Sequence, residues 1–130
     1  MKFTLIACVL ALAGCASTQQ LPTVDPDIAA IATEPLFCRG TEQCTRYWQR
    51  AQVWVARNSR WKIQTATDVL IETYGAGRTA DRAYRVLREP GAGGVQRISI
   101  HSACGDYLFG CNTNELEQAA AFKLYVRMAD

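Results

Sequence analysis

The stretch that decides the fold is Thr41–Asn58, TEQCTRYWQRAQVWVARN. Cys44, Tyr47, Trp48, Ala51, Trp54 and Val55 recur at the i, i+3, i+4, i+7 spacing of one helical face. Arg46, Gln49, Arg50 and Arg57 fall elsewhere on the wheel, so the pattern predicts an amphipathic helix. Thr41 is placed to cap its start after Gly40, and Glu42 suits the positive end of the helix dipole. Asn58-Ser59 ends it. Two tryptophans and a tyrosine on one stripe need a broad apolar surface to cover them, and a sheet is the natural cover.

The residues that follow supply one. Trp61–Thr65 and Val69–Tyr74 are rich in β-formers and flank the short turn Ala66-Thr67-Asp68. Gly75 to Asp81 reads as a loop. Arg82–Glu89 alternates, with Tyr84 and Val86 opposed to Arg85. Pro90-Gly91-Ala92-Gly93-Gly94 breaks the chain, and Val95–Ser102 follows with Ile98 and Ile100 on one face and Arg97, Ser99 and His101 on the other. Asn114 caps a last helix to about Met128, with Glu115 and Glu117 at its start and Lys123 and Arg127 near its end. Short loops make neighbouring strands antiparallel. The expected fold class is therefore α+β: a two-layer sandwich in α-β-β-β-β-α order with a four-stranded antiparallel sheet.

The start of the chain is of a different kind. Lys2 precedes Phe3–Leu12, an apolar run of about ten residues, within the range of a secretory signal. It is far short of the roughly 20 apolar residues needed to span a bilayer. The run closes on Leu12-Ala13-Gly14-Cys15, which resembles the lipobox of bacterial lipoproteins. That resemblance implies removal of residues 1–14 as a lipoprotein signal peptide, with Cys8 inside it. It also implies attachment of a diacylglyceryl group to Cys15 and acylation of the new amino terminus with a palmitate-type chain. Several chains on one residue would make the membrane anchor effectively permanent, since each buried CH₂ contributes about 0.8 kcal/mol. Ala16, rather than Asp, follows the cysteine, which in the Gram-negative sorting rule implies the outer membrane, facing the periplasm.

Residues 15–36, with Pro22, Pro26 and Pro35 and few large apolar side chains, read as the lipidated cysteine and a flexible tether that proline partly stiffens. Residues 37–130 read as a single domain. The 130-residue chain has a formal charge of +2, which falls to about +1 once Lys2 is removed, so no basic field is left to attract nucleic acid.

Cys38, Cys44, Cys104 and Cys111 remain after Cys15. An even count in an exported chain reads as disulfides, and gaps of five and six intervening residues are wider than zinc-ligand pairs. Three pairings are open. The local one, Cys38–Cys44 with Cys104–Cys111, is entropically the easiest to form and is the one expected, although each small loop contributes about 2–2.5 kcal/mol of stability against about 4.4 for a long-range bridge.

No catalytic constellation stands out. His101, the only histidine, lies near Ser99, Ser102 and Asp106, but no G-x-S-x-G elbow exists and adjacent strand residues face opposite ways. Glu72, Asp68, Asp81 and Glu89 read as solvated charges. Gly75-Ala76-Gly77 and Gly91-Ala92-Gly93-Gly94 lack the ending of a phosphate loop and read as turns. Trp48, Trp54 and Trp61 could form a ligand platform, though helical spacing assigns the first two to the core. No cofactor, no metal and no catalytic residue is expected.

The segment Cys104–Cys111, CGDYLFGC, is the candidate partner-binding loop, with Tyr107, Leu108 and Phe109 as contact residues. Gly105-Asp106 and Gly110 are turn formers. The alternative folds Leu108 and Phe109 under to plug the open end of the core, the ordinary fate of such residues. Helix and strand order resembles helix-grip domains of outer-membrane accessory lipoproteins of the NlpB/BamC type, and KIQTATDVLIETYG (Lys62–Gly75) resembles a stretch of small proteobacterial lipoproteins. Both resemblances imply an envelope setting and transfer no site residue.

The expected function is a non-catalytic binding or accessory protein of the outer membrane. It would be anchored in the lipid bilayer through acylated Cys15 and would engage an envelope protein or cell-wall component. The rivals are an inhibitor of lysozyme-like hydrolases, disfavoured by the two helices, and a small cell-wall hydrolase using His101.

Overall fold

Asp25-Pro26 starts the fold earlier than the proline content suggests. In the computed structural model, which describes residues 23–105 and 108–128, Pro26–Thr33 is a helix, α1. Asp25 caps it by accepting from the Asp27 N–H at 2.8 Å, and Pro26 occupies the first turn, where its missing N–H costs nothing. Glu34-Pro35 stops it, because the residue before a proline avoids helical backbone. The segment expected as tether up to residue 36 thus contributes a helix and the start of a strand. The proline that was expected to stiffen a linker is a helix-start signal. Cys15 and the signal segment lie outside the described residues.

Leu36–Arg39 forms β1, then Gly40–Asn58 forms α2. Gly40 makes the corner with φ +71°, a left-handed backbone that suits glycine. Thr41 lies inside the helix and does not cap it. The cap position is Arg39, whose N–H donates to Gln43 Oε1 at 2.7 Å. The expected stripe is buried as read: Cys44, Tyr47, Trp48, Ala51, Trp54 and Val55.

The strands are β2 (Ile63–Ala66), β3 (Leu70–Thr73), β4 (Ala83–Pro90) and β5 (Val95–Ala103), with a 3₁₀ turn at Ala92–Gly94 joining the last two. The helix α3 covers Glu115–Arg127, and Asn114 Oδ1 accepts from Leu116 N at 2.8 Å. The class is α+β, and the sheet is antiparallel throughout. The sheet has five strands rather than four, in the order β1-β5-β4-β3-β2. The added strand is β1, which pairs with β5 from Leu36 opposite Ile98 to Arg39 opposite Val95. Four residues beside a cysteine and a proline carry too little pattern to announce a strand. Its pairing with the last strand of the sheet is set by tertiary packing.

One face of the sheet carries the core. Leu36, Ile71, Tyr84, Val86 and Ile98 meet the α2 stripe and Phe122 and Val126 of α3. Trp54 packs edge-on to Tyr84 at 5.3 Å and to Phe122 at 5.4 Å, geometries that favour the ring quadrupoles. Trp48 Nε1 donates to Thr67 O at 3.0 Å, so its polar atom reaches a partner. Cys38 and Cys44 are disulfide-bonded and fully buried, tying β1 to the first turn of α2. The helix α1 lies against α3, where Lys123 Nζ donates to the carbonyls of Ala32 and Glu34 and Arg127 pairs with Glu34 at 3.2 Å. Burial, with repulsion from Arg127, holds the Lys123 ammonium below its ordinary range, against a smaller upward pull from Glu34.

Candidate functional site

The strongest candidate grows from the end of β5. Cys104 follows that strand directly and is bonded to Cys111, closing a small loop with Cα atoms 5.6 Å apart. Both local pairings expected from spacing are therefore present. The base of the loop is fixed against the segment between β3 and β4. Gly105 N donates to Thr79 O and Asn112 N to Ala80 O, each at 3.0 Å. A Cβ on Gly105 would sit 1.4 Å from the Gly77 carbonyl oxygen, so only glycine lets these two backbones approach.

A polar network continues the clamp. Asn112 Nδ2 donates to Asp81 Oδ1 at 2.7 Å, and Asp81 pairs with Arg60 at 3.3 Å. The Arg82 guanidinium donates to Thr113 O at 2.8 Å and to Ser102 Oγ at 3.2 Å, joining β5, the loop exit and the β4 entry. Tyr84 OH donates to Gln118 Oε1 at 2.9 Å. Burial pushes the Tyr84 hydroxyl above its usual range, and the nearby Arg82 charge pulls it back in part.

Against this rigid base the loop tip is exposed: Leu108 at 87% and Phe109 at 90%. They do not plug the core, because Phe122, Tyr84 and Trp54 already fill the space beneath the helices. Tyr107, the third residue of the candidate set, lies with Asp106 outside the described residues.

The structure separates the other candidates. His101 is exposed on the helix-free face, opposite Arg85 in the β4–β5 register, and Arg85 pairs with Glu72 at 3.2 Å. Ser102 faces the other way, and its hydroxyl accepts from Arg82. Trp48 and Trp54 are core residues, and Trp61 is half-buried. Among the described residues no cluster of His, Cys, Asp and Glu could hold a metal ion, and no helix is long and apolar enough to cross a membrane.

Sequence reasoning missed Gly77, Asp81, Arg82 and Asn112 as the supports of the loop. Gly105 was legible as a turn former beside Cys104, but its close approach to Gly77, 28 positions upstream, left no local signal. No family model, curated protein or solved structure matches this chain.

Proposed function

We propose that this chain is a lipid-anchored, non-catalytic binding protein of the bacterial outer membrane that engages an envelope protein or cell-wall component through its Cys104–Cys111 loop. The observation that carries the reading is the contrast within that loop. Two large apolar side chains are almost fully exposed at the tip, while its base is held by a disulfide, two backbone hydrogen bonds and a glycine contact. Exposed apolar groups gain most from burial against a partner. A loop whose ends are held loses less entropy on binding, which improves affinity.

The anchor is supported by Leu12-Ala13-Gly14-Cys15. A tether running from Cys15 to the α1 cap at Asp25 would be short. At ~3.3–3.6 Å per residue it reaches at most about 35 Å, which would keep the loop close to its membrane.

A photoreactive phenylalanine analogue at position 108, expressed in cells with the anchor intact, tests the reading. It should yield a discrete adduct that disappears in the Cys104→Ser/Cys111→Ser variant and when Cys15→Ser releases the protein from the membrane. The same analogue at exposed Glu42 is the control. Equal adducts from both positions would mean that the loop has no special partner. Lysozyme inhibition by the purified protein would favour the inhibitor reading instead.

A further inference from the structure

We infer that the uncovered half of β5 is a docking edge for an extended, acidic peptide strand from a partner protein, separate from the Cys104–Cys111 loop. The strand runs from Val95 to Ala103, but β1 pairs only with Val95 to Ile98. The hydrogen-bond alternation of an antiparallel ladder fixes what is left open. Val95 O accepts from Gly91 N at 2.8 Å, so Val95, Arg97, Ser99, His101 and Ala103 turn their peptide groups towards β4. Gln96, Ile98, Ile100 and Ser102 turn theirs the other way. Cys38 and Leu36 meet the first two. Ile100 and Ser102 meet no strand among the described residues.

The chain itself turns away from these groups. Glu34 would continue β1 opposite Ile100, yet its N–H goes to Ala30 O at 3.0 Å and its carbonyl accepts from Lys123 at 2.6 Å. The two formal edges of the sheet, β1 and β2, are each four residues long, and β2 is broken by a register shift. Short and irregular edges resist strand addition. The open part of β5 is one residue longer and regular. A cavity of about 340 Å³ lies along it, with Thr33, Pro35, Ala119 and Lys123 in its lining.

The charge of that cavity selects the occupant. Its lining holds Arg97 and Lys123 against the single carboxylate of Glu89. Strand addition draws affinity from main-chain hydrogen bonds and specificity from side-chain positions along the strand. A carboxylate beside Arg97 supplies the second.

The test uses the full chain in detergent and a fluorescein-labelled ten-residue peptide of alternating Thr and Val carrying two Glu. Its counterpart with Lys in place of Glu is the comparison. Fluorescence anisotropy should show at least about tenfold preference for the acidic peptide, lost in Arg97→Glu. Amide exchange at Ile100 and Ser102 should slow by at least about tenfold on saturation. Ser102→Pro removes one open donor without touching the β4 ladder and should abolish binding. Arg97→Glu, on an exposed site, keeps the test decisive if that variant fails to fold. Leu108→Ser/Phe109→Ser should bind the peptide unchanged, which separates this edge from the loop. The inference is overturned if neither peptide binds. It is also overturned if the free protein already protects Ile100 and Ser102, either as a dimer seen by sedimentation or through its own residues 15–22.

Discussion

Gly105→Ala should destabilise the domain far more than a single methyl group ordinarily does. The added Cβ would fall 1.4 Å from Gly77 O, 2.6 Å from Gly77 C and 3.3 Å from Arg78 Cα, all backbone atoms that cannot rotate aside. Restoring ordinary contact requires the two segments to part by at least about 1.6 Å, judged against the ~3 Å floor of real carbon–oxygen approaches. That separation breaks Gly105 N to Thr79 O outright. Because Cys104–Cys111 makes the loop move as a unit, it also strains Asn112 N to Ala80 O. Two backbone hydrogen bonds at about 0.5–1.5 kcal/mol each, with about 1–3 kcal/mol for overpacking, give a loss of roughly 2–6 kcal/mol. At about 4–8 °C per kcal/mol for a domain of this size, Tm should fall by at least about 8 °C. Thermal melts followed by circular dichroism, under oxidising conditions, would measure it. Gly75→Ala is the control: its Cβ meets nothing within 4 Å and its backbone is not left-handed. It should stay within about 0.5 kcal/mol of the parent or gain slightly through reduced chain entropy. If Gly105→Ala melts within about 2 °C of the parent, the clamp at the loop base is wrongly described.

Further outcomes follow from the same contacts. Cys38→Ala/Cys44→Ala removes a fully buried bridge that closes a short loop, and denaturant melts should show a loss of about 2–2.5 kcal/mol from loop-closure entropy. Tyr84→Phe leaves Gln118 Oε1 without its donor and should cost about 0.5–1.5 kcal/mol at neutral pH. Because the Tyr84 hydroxyl is raised in the folded state, it holds its proton there after the unfolded chain has lost it. Its contribution is therefore full below pH 10 and declines as pH rises through the folded pKa, so the gap between parent and Tyr84→Phe melts should narrow in that window. Lys123→Met strips the bond from the Ala32 and Glu34 carbonyls and should loosen α1, read as faster amide exchange across Pro26–Thr33 with little change in β4 and β5.

Local chemistry made much of this protein legible. The stripe from Cys44 to Val55 predicts α2 because side chains three and four apart share a face whatever they later touch. Alternation in Val95–Ser102 predicts which residues of β5 turn inward, and Asn114 announces α3 through a capping bond made within its own first turn. The disulfides were readable for a related reason: cysteines this close in sequence meet without help from the rest of the chain. What lay beyond reach depended on partners distant in sequence. Leu36–Arg39 is a strand only because β5 offers it a ladder more than fifty positions later. Pro26–Thr33 belongs to the domain because Lys123 holds its end against α3. Leu108 and Phe109 have the composition of core residues, and the tertiary structure leaves them outside because Trp54, Tyr84 and Phe122 fill the interior first. The open edge of β5 has the same origin, since where a strand loses its neighbour is decided by the path of another segment, here the turn at Glu34-Pro35. Sequence alone determined the elements that form within one or two turns of backbone. Packing over long separations decided which strands pair, which ends are held and which surfaces stay open.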